Sequence, residues 1–348
     1  MRKLRIGYQP LSPDFSQPGD RRRVVFWANK RGHEIVTDLS QSTDVILLSE
    51  KADFGAFPKK AAETPIIFDL VDAYLAHENI AKDWFRGTSK VLTGELSGAP
   101  KPFTKFVENL CNQASAVICS STEQKETISP FSQNVHVILD SHDELPMVPF
   151  GTKNQGAKKN ILWEGMPATI GGVGQIVEAL KAIEEIYEVE MKFVTNEKYF
   201  LLLGKYLEKN TSSLLSKIMH SANSFSTIIP WSIQNLVAQA KSADMAVIPI
   251  DLSFPLQYLK PENRLLIMWR LGLPCLTSSS PAYMRVAVAA NTDSICSSPE
   301  EWRVKMARIL DMRDVAEENV NQGQNYLKEF HNTDLLLERW DRVFESVL

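Results

Sequence analysis

The chain has 348 residues, of which 44% are hydrophobic and 23% are charged. This is ordinary globular composition, and the length predicts two domains of about 100–200 residues each. The formal net charge of -4 is not the strong basic excess of proteins that bind nucleic acid non-specifically, so no nucleic-acid partner is expected. The N-terminus lacks the apolar region of a secretion signal, and no segment approaches the roughly 18 apolar residues of a membrane-spanning helix. We therefore expect a cytoplasmic protein.

Cysteines and histidines give no sign of a metal or redox site. No two cysteines have CxxC spacing, and no two histidines have HxxxH or HxH spacing. No DxD sequence lies in a loop suited to Mg²⁺ held with a diphosphate. Cys119 and Cys275 lie in apolar runs, which is typical of small buried side chains in a reducing compartment. We expect no bound metal and no cofactor.

Short apolar runs alternate with helical patterns through the first part of the chain. Five runs predict buried strands: Leu4–Tyr8, Val45–Ser49, Pro65–Leu70, Ala116–Ser120 and Val135–Leu139. Between them, one helical face is predicted from the spacing of Phe103, Phe106, Val107, Leu110 and Cys111. Ser120 and Glu123 have the spacing of a capping box, which predicts a helix directly after a strand. Strands that alternate with helices predict a parallel sheet covered on both faces.

A linker and a second strand–helix series follow. Residues 147–160 are rich in Gly, Lys, Asn and Gln without periodicity, which is typical of a linker. Four further apolar runs predict strands: Ile161–Gly165, Met191–Thr195, Met245–Ile250 and Pro274–Ser278. The sequence therefore predicts two α/β domains, residues 1–150 and 151–330, with a C-terminal helix in residues 331–348 that packs back on the first domain. Open sheets of this kind bind ligands beyond the carboxyl ends of their strands, often in a cleft between domains.

The segment Ala243–Tyr283 carries the strongest signal for a binding site. A predicted strand ends at Pro249, a polar loop follows, and a helix then runs to Gly272, a residue typical of a helix stop. Lys260 and Arg264 lie near the start of this helix, where free N–H groups and the helix dipole favour anions. The two cations are suited to holding a diphosphate. The alternative is a solvent-exposed basic helix start.

The same segment resembles the donor-binding segment of GT-B glycosyltransferases, particularly family 4. The pattern of that family is a strand end A-D-x-x-x-x-P, a loop K-x-x-N-[KR], a helix and G-x-P. The matching residues are Ala243, Asp244, Pro249, Lys260, Asn263, Arg264, Gly272 and Pro274. Further similarity lies in residues 65–76, 114–131 and 134–144 and in the turn at residues 31–35, so the resemblance covers most of the chain.

The resemblance implies two Rossmann-like domains that face a cleft, the first for an acceptor and the second for a nucleotide-sugar donor. It implies donor-binding roles for Gly19, Gly165, Trp231, Lys260, Asn263 and Arg264. Lys260 and Arg264 would contact the donor phosphates. Trp231 would lie against the base, with core packing as the alternative for this side chain. The acceptor would be a carbohydrate or a glycolipid, in polysaccharide or glycolipid assembly.

Asp72 and His77 are the candidate catalytic residues. Asp72 follows the predicted strand Pro65–Leu70, which places it at the cleft edge, and His77 follows shortly after. Sugar transfer passes through an oxocarbenium-like state, and an inverting enzyme needs a base for the acceptor hydroxyl. The alternatives are that Asp72 only caps a helix or forms a turn, and that a retaining enzyme uses no dedicated base.

The segment Arg21–Arg31 is a candidate for peripheral membrane contact at the inner face of a membrane. Its three leading arginines open a predicted helix, and the apolar residues Val24, Val25, Phe26 and Trp27 follow beside the cations. The alternatives are contact with phosphate and a solvent-exposed basic helix face.

Two departures from the family pattern leave other functions open. Leu259 and Ile267 stand where many family 4 members have paired glutamates, and the first loop of the second domain contains no basic residue. The main hypothesis is a metal-independent glycosyltransferase that stabilises the departing nucleotide with cations and helix starts. The alternatives are a non-catalytic nucleotide-sugar-binding or scaffold protein, and another nucleotide-sugar enzyme such as an epimerase.

Overall fold

The chain forms two compact α/β units. The computed structural model describes residues 2–56, 64–76, 79–151, 158–201, 207–219 and 226–348. The first unit comprises Met1–His142, Leu259–Pro261 and Asn332–Leu348, and the second comprises Asp143–Tyr258 and Glu262–His331. Each unit contains its own parallel sheet and its own hydrophobic core.

The boundary between the first and the second unit lies after His142, whereas the sequence predicted it at residue 150. Backbone bonds hold the next residues in the second unit: the N–H of Val148 donates to the carbonyl of Arg270 at 2.8 Å. The Val148 carbonyl accepts from Gln324 Nε2 at 2.6 Å. Val148 is therefore packed within the second unit, and residue 150, the predicted boundary, also belongs to that unit.

A six-stranded parallel sheet forms the centre of the first unit. Its strands are β1 (Arg5–Gln9), β2 (Glu34–Val36), β3 (Val45–Leu48), β4 (Ile66–Asp69), β5 (Ala116–Cys119) and β6 (Val135–Val137). Their order is β2-β1-β3-β4-β5-β6. Every residue of β3, β4 and β5 is buried, which explains why these strands are apolar without alternation. The five predicted strands are confirmed, and the short β2 is an addition to them.

Helices cover both faces of this sheet, as predicted. They are α1 (Pro18–Arg21), α2 (Val24–Arg31), α3 (Ile80–Leu92), α4 (Phe103–Gln113), α5 (Thr122–Ile128) and the C-terminal α14 (Thr333–Glu345). One face of the sheet packs against α4 and α5, and the other packs against α2 and α14. The five predicted apolar residues of α4 are its buried residues. The cap of α5 is one residue later than predicted, because Ser121 Oγ, not that of Ser120, accepts from Gln124 N at 3.1 Å.

α2 lies between the sheet and α14. The Trp27 ring stacks on Phe344 with centroids 4.1 Å apart, and its Nε1 donates to Asp341 at 2.8 Å. Val24 is also fully buried in this layer. The predicted membrane contact through Arg21–Arg31 is therefore wrong for these apolar side chains, because they form part of the protein core.

The second unit contains another six-stranded parallel sheet and a separate antiparallel pair. The strands are β7 (Lys158–Glu164), β8 (Glu188–Thr195), β9 (Lys198–Leu201), β10 (Leu207–Asn210), β11 (Ser226–Pro230), β12 (Met245–Ile248), β13 (Cys275–Ser278) and β14 (Ile295–Cys296). The sheet order is β11-β8-β7-β12-β13-β14, and β9 pairs with β10. β7 begins inside the predicted linker. The four predicted strands are confirmed, and the direction of winding reverses between β7 and β12.

The helices of the second unit follow these strands. They are a 3₁₀ segment (Pro167–Ile176), α6 (Val177–Glu184), α7 (Thr211–Met219), α8 (Ile233–Ser242), α9 (Pro255–Tyr258), α10 (Asn263–Arg270), α11 (Pro281–Ala289), α12 (Pro299–Asp311) and α13 (Arg313–Phe330). As predicted, α10 stops at Gly272, whose φ of 73° is left-handed. Cys119 and Cys275 are free and buried, as predicted. None of the helices in the described ranges is long and apolar enough to cross a membrane.

Candidate functional site

The loops after β7 and β12 meet at the carboxyl edge of the second sheet. A Cβ atom added to Gly172 would lie 2.3 Å from the carbonyl oxygen of Pro249, so only glycine allows this approach. β7 and β12 are the strands between which the winding reverses. Ligands of open α/β sheets bind outside the carboxyl ends of the strands at such a point. This edge is therefore the candidate binding site of the second unit.

Three of the predicted donor-binding residues come together at this edge. Arg264, the second residue of α10, donates from Nη1 to the carbonyl oxygen of Glu164 at 3.2 Å. A Cβ on Gly165 would lie 3.0 Å from the same Nη1, so the glycine leaves room for the guanidinium. Trp231 Nε1 donates to Glu164 Oε1 at 2.8 Å, and the indole is half-buried. The side chain and backbone of Glu164 thus orient both Trp231 and Arg264.

Buried polar atoms lie at the same edge without a partner. Asn263 Oδ1 at the start of α10, Thr195 Oγ1 at the end of β8 and Ser280 Oγ before α11 have no hydrogen-bond partner within the described part of the chain. Buried polar groups are normally paired, and an unpaired one requires an explanation. The starts of α10 and α11 also present free N–H groups that favour an anion. The hydroxyls of Thr195 and Ser280 can donate to a negatively charged ligand, and Asn263 Oδ1 can accept from a hydroxyl group of the same ligand.

Lys260 and Gly19 belong to the first unit, whereas Gly165, Trp231, Asn263 and Arg264 belong to the second. Lys260 belongs to the short stretch Leu259–Pro261 and pairs with Asp72, with Nζ 3.5 Å from Oδ1. Gly19 lies within α1, where an added Cβ would meet the flexible Leu11 side chain, 2.4 Å from its Cδ1. Because that side chain could move aside, the contact does not require glycine here, and the donor-binding role of Gly19 stays a prediction.

Two carboxylates meet at the carboxyl edge of the first sheet. Glu50 follows β3 and Asp72 follows β4, and the N–H of Asp72 donates to Glu50 Oε1. The Tyr74 hydroxyl lies 3.4 Å from Glu50 Oε2 and 3.5 Å from Asp72 Oδ2. Burial, together with the charge of Asp72, raises the pKa of Glu50 to about 8. A carboxyl group with a pKa near neutral pH can accept and return a proton under working conditions.

Glu50 was not among the residues predicted from the sequence. The available signal was its place directly after the apolar strand β3, at the edge where parallel strands carry functional groups. His77, the second predicted catalytic residue, lies outside the described residues. Among the described residues there is no group of three or more His, Cys, Asp or Glu side chains arranged to hold a metal ion.

The raised pKa of Glu50 predicts that stability falls as pH rises. Because the folded state holds the Glu50 proton more tightly than the unfolded state, its contribution is lost as pH rises through about 8. We expect the free energy of unfolding to drop by on the order of 2 kcal/mol between pH 6 and pH 9 from this group. Glu50→Gln should remove that part of the slope in denaturant titrations. The exposed Glu178→Gln should keep it, and equal slopes in both variants would contradict the assignment.

No protein-family model and no curated protein sequence matches the chain. Solved structures match it at low identity. HepE of Anabaena in complex with UDP and glucose has a TM-score of 0.65 at 11% identity, covering 98% of this chain and 99% of HepE. WaaG, a glycosyltransferase involved in lipopolysaccharide biosynthesis, has a TM-score of 0.59 at 11% identity, covering 97% of this chain and 98% of WaaG.

TarM of S. aureus is a longer protein that contains the same arrangement. Its TM-score is 0.57 at 11% identity, and the match covers 86% of this chain. The chain spans about half of TarM, 54% of its length. The chain therefore has the α/β two-domain fold of the GT-B glycosyltransferases. At identities this low, likeness of structure shows a common fold and not a common substrate.

Proposed function

We propose that the chain is a glycosyltransferase that moves a sugar from a nucleoside diphosphate to a hydroxyl group of a carbohydrate or glycolipid. The observation that carries the proposal is the match over 99% of this chain to HepE in complex with UDP-glucose, a nucleotide sugar. That match includes both units, and not only a Rossmann-like half that many other nucleotide-binding proteins share. The same fold in WaaG, a glycosyltransferase, supports the same reaction class.

The second unit binds the donor in this proposal. Arg264 and the starts of α10 and α11 hold the diphosphate. The hydroxyls of Thr195 and Ser280 donate to oxygens of the nucleotide sugar, and Asn263 Oδ1 accepts from one of its hydroxyl groups. Trp231 lies against the base. As the bond to the sugar breaks, negative charge grows on the leaving diphosphate, and fixed N–H groups and cations stabilise it without a metal ion.

The first unit supplies the acceptor side. A hydroxyl group attacks the anomeric carbon of the donor sugar and loses its proton, while the nucleoside diphosphate leaves with the bonding electrons. The Asp72 carboxylate takes that proton, and Glu50, bonded to the Asp72 backbone, provides a second carboxyl group beside it. Lys260 forms an ion pair with Asp72, with Nζ 3.5 Å from Oδ1, and so holds that carboxylate in position.

Arg264→Ala tests the donor site. In thermal unfolding with UDP, GDP, ADP, dTDP and CMP, we expect one nucleotide to stabilise the wild-type protein, by about 2.7 kcal/mol at a hundredfold excess over Kd. The variant loses a charged hydrogen-bond donor, so its affinity should fall about 10- to 100-fold. Each variant is compared with itself with and without nucleotide, so its own change in stability cancels.

Arg303→Ala is the matched control. Arg303 pairs with Glu300 at 2.6 Å on the exposed surface of α12, and its removal should leave the nucleotide shift unchanged. An undiminished shift in Arg264→Ala would place the donor site elsewhere. If no nucleotide stabilises the wild-type protein, the glycosyltransferase proposal fails.

A non-catalytic nucleotide-sugar-binding or scaffold protein is the second candidate. It is supported by Leu259 and Ile267, which stand where many family 4 enzymes have glutamates. Ile267 is buried, and its apolar side chain has no group that could act on a sugar. The two candidates differ in turnover. Stabilisation by a nucleoside diphosphate, without release of that diphosphate from any nucleotide sugar in the presence of acceptors, would favour the second candidate.

A further inference from the structure

Glu164 is the last residue of β7, at the carboxyl edge of the second sheet. Its side chain is half-buried, and its Oε1 accepts from the Trp231 indole at 2.8 Å. Within the described part of the chain, Oε2 accepts no hydrogen bond and no cation pairs with the carboxylate. Because a carboxylate has about four lone-pair sites, most of the accepting capacity of Glu164 is left for a ligand.

The negative charge of Glu164 requires an explanation at this edge. The Arg264 guanidinium and the helix starts favour an anion here, whereas an ionised carboxylate repels one. Holding the Trp231 indole does not need the charge, because the amide oxygen of a glutamine also accepts from an N–H group. The charge is accounted for if Glu164 meets a neutral part of the ligand that carries hydroxyl donors.

Two other carboxylates near this edge already serve the protein itself. Glu262, just before α10, is buried and pairs with Arg285, whose Nη1 lies 3.3 Å from Glu262 Oε1. Asp251, after β12, accepts from the backbone N–H and the hydroxyl of Ser253 within its own turn. α10 itself contains no acidic residue. Of these three carboxylates, Glu164 is the one that holds neither a cation nor a turn.

The two contacts of Glu164 lie on either side of the place of a ribose. The indole bonded to its Oε1 lies against the base in the proposed donor complex. Its carbonyl oxygen accepts from Arg264 Nη1 at 3.2 Å, and Arg264 holds the diphosphate in that complex. In a nucleoside diphosphate the ribose lies between the base and the phosphates, and its hydroxyl groups are donors. Acidic residues accept from a ribose hydroxyl in other α/β sheets that bind dinucleotides.

We propose that Glu164 accepts a hydrogen bond from the ribose 2′-hydroxyl of the donor and thereby selects ribonucleotides over 2′-deoxyribonucleotides. The inference rests on the proposed function, and it adds the residue that distinguishes the ribose of the donor. Oε2 is the accepting atom, because Oε1 holds Trp231. The bond is charge-assisted, and it offsets the repulsion between the carboxylate and the diphosphate only when the hydroxyl is present.

Calorimetric titration of the full chain with UDP, GDP and ADP, and with the 2′-deoxy form of each, tests the proposal. For the base that the wild-type protein prefers, we expect the ribonucleotide to bind about 10- to 100-fold more tightly than its 2′-deoxy form, the usual effect of a hydrogen bond to a charged group. Glu164→Gln keeps an acceptor for Trp231 but loses the charge, so this ratio should fall below about threefold. Its affinity for the deoxynucleotide should equal or exceed that of the wild-type protein, because a repulsive charge is removed.

Glu188→Gln is the matched control. Glu188 is the exposed first residue of β8, at the opposite edge of the same sheet, so the wild-type ratio should be retained. Equal binding of the two forms by the wild-type protein overturns the inference and leaves the donor site standing. An unchanged ratio in Glu164→Gln also overturns it, because Glu164 then bonds to the base or only supports Trp231. If none of these nucleotides binds to the wild-type protein, the proposed function fails together with the inference.

Discussion

Arg23→Leu is expected to lower the free energy of unfolding by about 3–5 kcal/mol. The Arg23 side chain is fully buried and donates two hydrogen bonds to the Asp69 carboxylate, from Nη2 to Oδ1 at 2.6 Å and from Nε to Oδ2 at 2.8 Å. Its Nη1 also donates to the carbonyl of Ile138 at 2.8 Å. Leucine would leave the Asp69 carboxylate buried without its counter-ion, although burial already raises the pKa of that group. Urea denaturation at neutral pH measures the loss.

The surface pair Arg2 and Asp44 provides the comparison. Arg2 Nη2 lies 2.7 Å from Asp44 Oδ1, but the Arg2 side chain is 74% exposed. Arg2→Ala should therefore lower the free energy of unfolding by less than about 1 kcal/mol. Leucine is also apolar and suits a buried position. A loss below about 1 kcal/mol for Arg23→Leu would therefore mean that Asp69 is stable as a neutral acid, and that the ion pair adds little.

Asp72→Asn is expected to lower sugar transfer about 10²- to 10⁴-fold, the usual effect of losing a general base. This expectation rests on the proposed function. Asparagine keeps the size of the side chain but cannot take the acceptor proton. Because Asp72 belongs to the first unit and Arg264 to the second, stabilisation by the nucleoside diphosphate should be unchanged. Release of the diphosphate from a nucleotide sugar with acceptor present measures the effect.

Two further variants distinguish a base from a merely structural side chain. Asp314→Asn changes an exposed carboxylate on α13 and should retain full activity. Glu50→Gln should move the pH profile of transfer, because Glu50, with its pKa of about 8, interacts electrostatically with Asp72. If Asp72→Asn transfers sugar at the wild-type rate, the base lies elsewhere or the reaction uses none.

The regular elements were predictable because their signals are local. Buried parallel strands are short apolar runs, and β3 and β12 have that pattern in the sequence as well as in the structure. The amphipathic spacing of α4 and the stop at Gly272 are also properties of neighbouring residues. The likeness to GT-B proteins adds the arrangement of two such sheets in one chain.

The errors concern contacts between distant parts of the chain. Membrane contact was predicted for Trp27 because its hydrogen-bond partner Asp341 lies 314 positions away, where no local pattern could reveal it. That Lys260 belongs to the first unit also depends on a distant contact, its pairing with Asp72 188 positions away, while its contact with the donor phosphates stays a prediction. Glu50 was missed because its proton affinity comes from burial and from the approach of Asp72, which no local pattern records.

The return of α14 to the first unit has a consequence for biosynthesis. The ribosome synthesises β1 to β6 first, then the second unit, and only afterwards the residues of α14. Until then the Trp27 ring lacks the Phe344 ring on which it stacks, and the side of α2 that packs against α14 stays uncovered. Core side chains of the nascent first unit thus stay exposed to water while about two hundred intervening codons are translated. The second unit can finish folding before it, so the chain matures out of the order in which it is made.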